Sequence, residues 1–300
     1  MIGRFLNYVE IRTKITSVFT FLIATAYIFY IGKPINWLLT LTFFASMFIF
    51  DMTTTAINNY IDTKDNDEYL GFKRSTALII IFAMLEISTF LGIYLAYMSD
   101  VVVLLIGTAC FLCGILYTFG PVPISRLPLG ELFSGFFYGF LIPFILMYIN
   151  LPKGTFLLLN LSWKTISLNI NILPMVKVIL LSVIPICVTA DIMLANNICD
   201  LERDIAAKRF TLPYYLREKA VYLFAALYYL AYLDIIIMVI LRMLPAVCLL
   251  SLATIYWVQK NITRFFKVQD KATTFVVSIK NFVFIMGSVT LLIFIGGLFF

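Results

Sequence analysis

The sequence predicts an all-α integral membrane protein, a bundle of about nine transmembrane helices. Of its 300 residues, 62% are hydrophobic and only 13% are charged, whereas roughly 25% are charged in an ordinary soluble domain. Spans of about 20 residues with short connections allow roughly eight to ten helices in this length. The apolar runs are too long and too uniform for the strands of a membrane barrel. We expect residues 1–300 to form a single transmembrane domain.

Each predicted span is an apolar run that is bounded by charged or polar residues. No small-residue cleavage site follows the first run, so we interpret it as part of the bundle and not as a removable signal. The connection Leu151–Asn171 contains Trp163 and Lys164, and we expect it to lie along the membrane interface as a short helix. The predicted spans are Ile15–Ile31, Trp37–Tyr60, Ser75–Met98, Val101–Phe119, Leu129–Asn150, Leu173–Cys199, Val221–Leu241, Leu244–Val258 and Phe275–Phe299.

Lysine and arginine are distributed unequally between the two sides of this predicted bundle. Of the 22 basic residues, 17 fall in the N-terminus and the connections on its side of the membrane, and 5 fall on the other side. The side with more positive charge is cytoplasmic, and an odd number of spans then puts the C-terminus outside. The net charge of +6 follows from this bias and requires no nucleic-acid partner. We expect a multi-pass protein of the cell membrane.

The chain contains no histidine. This excludes histidine-ligated haem, zinc or iron sites and any acid–base step that depends on histidine. Cys110 and Cys113 form a C-x-x-C pattern inside the fourth predicted span, where we interpret them as packing residues and not as a redox pair.

The pattern Asn-Asn-x-x-Asp occurs twice, each time where a long apolar run meets a charged connection on the cytoplasmic side. The first copy is Asn58–Asp62, at the end of the second span, and the second copy is Asn196–Asp200, at the end of the sixth. Residues three and four apart share one face of a helix, so each copy is expected to place two amide oxygens beside a carboxylate. Further acids follow these copies: Asp65, Asp67, Glu68, Glu202 and Asp204.

Two clusters of hard oxygen atoms at a membrane rim predict divalent cations and the phosphates that such cations hold. Clustered carboxylates repel one another unless a positive charge lies between them. Magnesium takes octahedral oxygen sites and is usually shared between a few carboxylates and substrate phosphates. Lys73 and Arg74 follow the first copy and Lys208 and Arg209 follow the second, where they can meet phosphate oxygens. The alternative is that the acids and amides cap helix ends and that the basic residues only carry inside charge.

With these motifs in view, the chain resembles the UbiA-type intramembrane prenyltransferases, and within them the 1,4-dihydroxy-2-naphthoate prenyltransferases of menaquinone synthesis. The family shows N-D-x-x-D-x-x-x-D after its second helix and D-x-x-x-D after its sixth. Here Asn59 stands where the family usually has Asp, and Asn66 stands where a third Asp is common. The segments that carry the resemblance are Asn58–Asp67, Asn196–Asp204, Tyr117–Gly120, Leu129–Glu131 with Gly135, and Arg12–Lys14 before the first span.

The resemblance implies a magnesium-dependent enzyme that transfers an isoprenyl chain from a polyprenyl diphosphate to an aromatic acceptor. For 1,4-dihydroxy-2-naphthoate, the product is a demethylmenaquinol, formed with loss of CO2 and diphosphate. The implied fold surrounds a central cavity that opens to the cytoplasmic side and to lipid, as an anionic head on an apolar tail requires. Two Mg²⁺ ions that bridge the diphosphate are expected.

The site residues follow from the same resemblance. The implied catalytic residues are Asp62, Asp200 and Asp204. The implied metal ligands are Asn58, Asp62, Asp65, Asp67, Asn196, Asp200 and Asp204, and the implied diphosphate-binding residues are Lys14, Asn58, Lys73, Arg74, Tyr117, Asn196 and Lys208. Tyr60 and Tyr117 are the two rings that we single out as candidates to stabilise an allylic cation.

Two alternatives remain at this point. One is a transferase of the same fold with another acceptor, such as 4-hydroxybenzoate, a tetrapyrrole or a glycerol phosphate, since the motifs do not encode the acceptor. The other is a cation-coupled secondary transporter, which should place ionisable residues near the middle of its spans beside interrupted helices. The clustering of carboxylates at span ends favours the transferase.

Gly135 and Gly139 form a G-x-x-x-G pattern in the fifth predicted span. Small residues at this spacing permit close contact between helices. We expect intramolecular packing at this pattern, and a homo-oligomer is the alternative.

Overall fold

The computed structural model describes residues 2–64, 70–119 and 123–299, most of which are helical. Asp65, Asp67 and Glu68 lie outside the described residues. The α-helices are α1 Ile2–Tyr8, α2 Ile15–Tyr30, α3 Trp37–Asp62, α4 Arg74–Met98, α5 Val101–Thr118, α6 Gly130–Ser134, α7 Ile142–Asn150, α8 Ile172–Cys199, α9 Leu201–Ala206, α10 Leu212–Leu216, α11 Lys219–Ile240, α12 Ile255–Lys267 and α13 Val276–Leu298. Short 3₁₀-helices cover Ile11–Lys14, Ile124–Arg126 and Ala246–Thr254, and a π-helix covers Gly135–Leu141.

Seven helical segments within the described residues are long and apolar enough to cross a membrane, which makes the chain a multi-pass membrane protein. These segments coincide with seven of the nine predicted runs. A further apolar helix, Val101–Tyr117, is shorter and matches the fourth run. The seven segments are Ile11–Tyr30, Trp37–Asp62, Arg74–Met98, Gly130–Asn150, Ile172–Cys199, Lys219–Ile240 and Val276–Leu298.

The eighth predicted run, Leu244–Val258, differs most from a regular span. Its apolar part forms the 3₁₀-helix Ala246–Thr254, and α12 continues from there with an amphipathic sequence. Val258, Ile262 and Phe265 are buried, whereas Lys260, Arg264 and Lys267 are exposed. Spacings of three and four residues place each group on its own face of α12, which is why the apolar run ends about one turn into this helix.

The connection between α7 and α8 is a β-hairpin, so the predicted short interfacial helix is wrong. Strand β1, Leu157–Leu161, pairs with strand β2, Ile166–Ile170. Ser162 and Thr165 close the turn, with the Ser162 amide 3.0 Å from the Thr165 carbonyl oxygen. In β2, apolar residues alternate with Ser and Asn, which is the two-residue period of a strand.

The described chain divides into two compact units, and each has its own core. The first consists of Met1–Val18, Asn36–Ile124 and Leu159–Ser167, and the second of Phe19–Ile35, Ser125–Leu158 and Leu168–Phe300. In the first unit α3 packs along α4, and a buried cluster that includes Tyr8, Ala56 and Ala77 joins the N-terminal segment to both helices. In the second unit α8 packs against α11, α13 and the π-helix. Each unit therefore holds one copy of the repeated motif, at the end of α3 or of α8.

The G-x-x-x-G pattern packs within the chain, as predicted. A β-carbon at Gly139 would lie 2.4 Å from both the amide nitrogen and the α-carbon of Ile186, and one at Gly135 would lie 3.1 Å from the Ile186 carbonyl oxygen. Both glycines lie in the π-helix, and Pro143, four residues after Gly139, has no amide hydrogen to donate to it. The backbones of the π-helix and α8 thus touch directly at Ile186.

We predict that Gly139→Ala lowers the stability of the purified protein, because the new methyl group would overlap the α8 backbone. Overpacking of this kind costs about 1–3 kcal/mol, and thermal unfolding in detergent measures it. Gly107→Ala is the matched control, since a β-carbon at Gly107 meets no atom within 4 Å in the described part of the chain. Equal melting temperatures for the two variants would contradict the packing argument.

Candidate functional site

The second motif forms a cluster in which oxygen atoms from two of its residues bind one cation. The ammonium group of Lys271 donates hydrogen bonds to Asn196 Oδ1 and, at 2.6 Å, to Asp200 Oδ2. Asp200 follows the last residue of α8, and within the described residues its side chain makes no capping hydrogen bond to α9. The four-residue spacing thus places the amide and carboxylate oxygens on one face, and helix capping does not account for the carboxylate of Asp200.

Asp204 belongs to the same cluster. Its backbone amide donates to the Asp200 carbonyl oxygen at 2.8 Å, one helical turn back, and Thr211 Oγ1 lies 3.4 Å from Asp204 Oδ2. Burial raises the pKa of the Asp204 carboxyl, and the nearby Arg209 guanidinium partly offsets this rise. A bound cation would favour the ionised form of this carboxyl and relieve the same cost.

The second asparagine of this motif points to a different partner. Asn197 Nδ2 donates a buried hydrogen bond of 2.8 Å to Glu131 Oε1, at the start of α6. The expectation that both amide oxygens lie beside the carboxylate is therefore wrong for this copy, because successive residues on a helix are rotated by about 100°. Glu131 belongs to the segment Leu129–Glu131 that resembles the family, and no signal in the sequence pairs it with Asn197.

In the first motif, too, the side-chain amide of the second asparagine donates hydrogen bonds to another segment. Asn59 Nδ2 donates to the Tyr8 carbonyl oxygen at 2.9 Å and to Glu10 Oε1 at 3.3 Å, so it connects α3 to the N-terminal segment. Asn58 is half-buried and Asp62 is exposed at the end of α3. An aspartate at position 59 has no hydrogen to donate to a carbonyl, which gives a physical reason for the departure of this chain from the family pattern.

The basic residues after the first motif differ in their surroundings. Arg74 donates to the carbonyl oxygens of Tyr60 at 2.6 Å and Thr63 at 3.0 Å, and its guanidinium carbon lies 3.9 Å from the centre of the Tyr60 ring. Arg74 therefore binds the C-terminal carbonyls of α3, a favourable position for a cation. It also covers one face of the Tyr60 ring, a predicted candidate to stabilise an allylic cation. Lys73 is exposed.

Two other predicted ligand-binding residues, Tyr117 and Lys208, lie at the ends of helices. Tyr117 is half-buried in the last turn of α5. Lys208 is exposed in the turn after α9, with a left-handed φ of 57°. Their roles stay predictions.

Lys14 lies in a buried ion pair, which argues against its predicted role in binding diphosphate. Its ammonium donates to Asp51 Oδ1 at 2.8 Å, to the Asp51 carbonyl oxygen at 3.0 Å and to Thr55 Oγ1 at 2.5 Å. Only 4% of the Lys14 side chain and 5% of the Asp51 side chain are exposed. Ser17 Oγ donates to the other carboxylate oxygen at 2.7 Å. An ammonium group has three hydrogens, and all are directed at protein oxygens, so we assign Lys14 a structural role.

The residues of the second motif fit a divalent ion that takes its remaining ligands from phosphate and water. Within the described residues no group of three or more Asp, Glu, Cys or His side chains is arranged to hold a metal ion. The ammonium of Lys271 occupies the position that a metal ion would take. Its two partners are an amide oxygen and a carboxylate oxygen, the hard ligands that Mg²⁺ prefers. Magnesium commonly takes one or two carboxylates and completes its octahedron with phosphate oxygens and water. Asp65 and Asp67 lie outside the described residues and are not placed.

The long apolar helices identify an intramembrane protein. Its polar motifs, each with an amide and a carboxylate, lie at the ends of α3 and α8. The model of the UbiA prenyltransferase family matches residues 17–288, and the chain belongs to this family.

Individual relatives agree with this assignment. A 1,4-dihydroxy-2-naphthoate octaprenyltransferase of Bacillus subtilis (strain 168) is 32% identical over 219 residues, which cover 69% of this chain and 64% of the relative. The chain thus aligns with less than two thirds of that relative's length. A structure from work on digeranylgeranylglyceryl phosphate synthase has a TM-score of 0.65 at 18% identity and covers 100% of this chain and 99% of its own. A UbiA homologue from Archaeoglobus fulgidus bound to DMAPP and Mg²⁺ has a TM-score of 0.57 at 11% identity, with 95% and 99% covered.

We predict that Lys14→Met destabilises the protein by about 3–5 kcal/mol, because it leaves the Asp51 carboxylate buried without its cation. Thermal unfolding in detergent measures the loss. The double variant Lys14→Met with Asp51→Leu should recover most of it, since replacing both partners of a buried pair by apolar residues is often neutral. An unchanged melting temperature combined with weaker diphosphate binding would restore the ligand role and contradict the structural one.

Proposed function

We propose that this protein is a magnesium-dependent prenyltransferase that transfers an isoprenyl chain from a polyprenyl diphosphate to an aromatic acceptor. The observation that carries the proposal is the convergence of Asn196 Oδ1 and Asp200 Oδ2 on one cation at the end of a membrane helix. Membership of the UbiA family supports the reaction class. An apolar bundle with a cation site at its rim suits a substrate that has an anionic head and an apolar tail.

We further propose 1,4-dihydroxy-2-naphthoate as the acceptor, with demethylmenaquinol, CO2 and diphosphate as products. The support is the Bacillus subtilis relative, a 1,4-dihydroxy-2-naphthoate octaprenyltransferase, at 32% identity. The ring carbon that carries the carboxylate is the proposed point of attack, so the new C–C bond forms as CO2 leaves.

Asp62, Asp200 and Asp204 are the proposed catalytic carboxylates, and with Asn58 and Asn196 they would hold two Mg²⁺ ions on the diphosphate. Asp65 and Asp67 remain candidate ligands. Bound Mg²⁺ would draw negative charge from the leaving diphosphate and so assist ionisation of the allylic C–O bond. Lys73 and Lys208, both exposed, are proposed to meet phosphate oxygens, and Tyr117 is proposed to contact the substrate. Arg74 is proposed to position the end of α3, because it donates hydrogen bonds to carbonyl oxygens there.

The proposed orientation puts the N-terminus and both motifs on the cytoplasmic side and the C-terminus outside, in a single domain of nine spans. The 17 to 5 distribution of basic residues supports it. The two spans beyond the seven long ones would be α5 and the segment formed by the 3₁₀-helix Ala246–Thr254 with the start of α12. A central cavity open to the cytoplasm and to lipid belongs to this proposal.

We expect Asp200→Asn and Asp62→Asn each to lower the prenylation rate by about 100-fold or more, since even outer partners of metal ligands contribute 10–100-fold. The assay combines purified protein, dihydroxynaphthoate, an isoprenyl diphosphate and Mg²⁺. Glu202→Gln, the same change at an exposed acid of α9, is the control and should retain the rate. Full turnover in excess chelator, or by the double aspartate variant, would refute the metal-dependent mechanism.

The acceptor is tested separately by offering dihydroxynaphthoate, 4-hydroxybenzoate, a tetrapyrrole and a glycerol phosphate to the wild-type protein and identifying products by mass spectrometry. The expected result is a prenylated naphthoquinol that has lost CO2. Product from one of the other acceptors alone would overturn the choice of acceptor and keep the reaction class.

A further inference from the structure

Lys271 occupies the place in the second motif where a metal ion would bind. Its ammonium donates to Asn196 Oδ1 and lies 2.6 Å from Asp200 Oδ2. Both of these oxygens belong to proposed metal ligands. In the sequence Lys271 is one of many basic residues on the cytoplasmic side, more than 70 positions away from the motif, and nothing in its surroundings marks it. Only the fold brings it to these two oxygens.

The turn that carries Lys271 is held by its own hydrogen bonds. Asp270 Oδ1 accepts from the Thr273 amide at 2.8 Å and from Thr273 Oγ1 at 2.6 Å, and these bonds lower the pKa of the Asp270 carboxyl. The Asp270 amide donates to Thr274 Oγ1 at 2.8 Å. The Lys271 ammonium also lies 4.9 Å from the centre of the Phe275 ring. The backbone is thus fixed near the motif.

The side chain of Lys271, by contrast, retains access to solvent, since 42% of it is exposed. Asp200 is more enclosed, with 17% of its side chain exposed. Lysine has a flexible four-carbon stem with a compact charge at its end. The ammonium can therefore leave the two oxygens without any rearrangement of the turn.

The Lys271 ammonium and a metal ion cannot occupy the position between Asn196 Oδ1 and Asp200 Oδ2 at the same time. Asn196 Oδ1 and Asp200 Oδ2 would hold the magnesium ion in place of the ammonium, and the ion would bring phosphate oxygens close to that carboxylate. An ammonium displaced from Asp200 would then lie within a few ångströms of a phosphate oxygen. The Lys271 ammonium, which takes the place of the metal ion in the free protein, can thus bind the diphosphate once the metal ion and the diphosphate are bound.

We propose that Lys271 is a diphosphate-binding residue that occupies the metal position of Asn196 and Asp200 until the substrate arrives, and that it moves to a phosphate oxygen when the ion binds. This inference rests on the proposed function, because it takes the second motif to be a metal and diphosphate site. The consequence is that binding of the metal ion and binding of the diphosphate affect each other's affinity. The metal alone must displace Lys271, which weakens its binding, and the metal with diphosphate gives Lys271 a new anionic partner.

The experiment compares wild-type protein with Lys271→Met in detergent, using Mn²⁺ as the probe ion and inorganic pyrophosphate as the probe anion. Electron paramagnetic resonance measures free Mn²⁺, and calorimetry measures pyrophosphate binding at saturating Mn²⁺. Without pyrophosphate, the variant should bind Mn²⁺ about fivefold more tightly, because a competing cation of modest strength is gone. With Mn²⁺ present, it should bind pyrophosphate about 10-fold more weakly, because a charged hydrogen bond is lost.

Two further variants make these opposite shifts specific. Lys267→Met removes an exposed lysine at the end of α12 and should change neither affinity. Lys271→Arg keeps the charge and should keep pyrophosphate binding within a few-fold of wild type. Melting temperatures of all variants check that the fold is intact.

Weaker binding of both probes by Lys271→Met would indicate a merely structural role and overturn the inference, as would two unchanged affinities. Tighter Mn²⁺ binding with unchanged pyrophosphate binding would mean that Lys271 competes with the metal but never reaches the phosphate, which also overturns it. If the predicted shifts occur but the wild-type protein prenylates no acceptor, the proposed function fails and the role of Lys271 at an ion and diphosphate site stands.

Discussion

An ionised carboxylate in or beside the membrane needs a positive partner, and this constraint decides the surroundings of Asp51 and Asp200. Water cannot stabilise an ion in an apolar bundle, and an unpaired buried charge is costly. Asp51 in the first unit and Asp200 in the second both meet the requirement with a lysine, at 2.8 Å and 2.6 Å. The two pairs are alike in distance and differ in burial.

That difference in burial separates an enclosed ion pair from one that solvent reaches. Lys14 and Asp51 are enclosed, and hydrogen bonds from Ser17 and to Thr55 complete the group. Only 4% of the Lys14 side chain and 5% of the Asp51 side chain are exposed. Lys271 approaches Asp200 from an exposed turn and leaves part of its side chain in solvent. The exposed position of Lys271 suits the exchange of cations that we propose for it. The enclosed position of Lys14 suits a residue that holds helices together.

The two asparagines of the second motif have different partners because a helix turns between them. Asn59 and Asn197 donate through their amide nitrogens to the N-terminal segment and to Glu131. Asn196, one position earlier, directs its oxygen to the same cation as Asp200. The second motif therefore combines a face that contacts a cation with a face that anchors the helix. The anchoring residue must donate a hydrogen bond, which an amide does and a carboxylate does not.

The sequence by itself determined the membrane class, the approximate ends of seven long helices, the close contact at Gly135 and Gly139, and the face shared by Asn196 and Asp200. These features depend on residues that are near one another in the chain, because helical periodicity and apolar length are local properties. The β-hairpin was also local, in the alternation along Ile166–Ile170, but Trp163 and Lys164 favoured an interfacial helix in our interpretation. Only the tertiary structure decided the partners of the polar groups: Asp51 for Lys14, Glu131 for Asn197 and Lys271 for Asp200. Any of the many cytoplasmic lysines satisfies the same charge requirement in the sequence, and the packing of distant helices selects which one reaches the carboxylate.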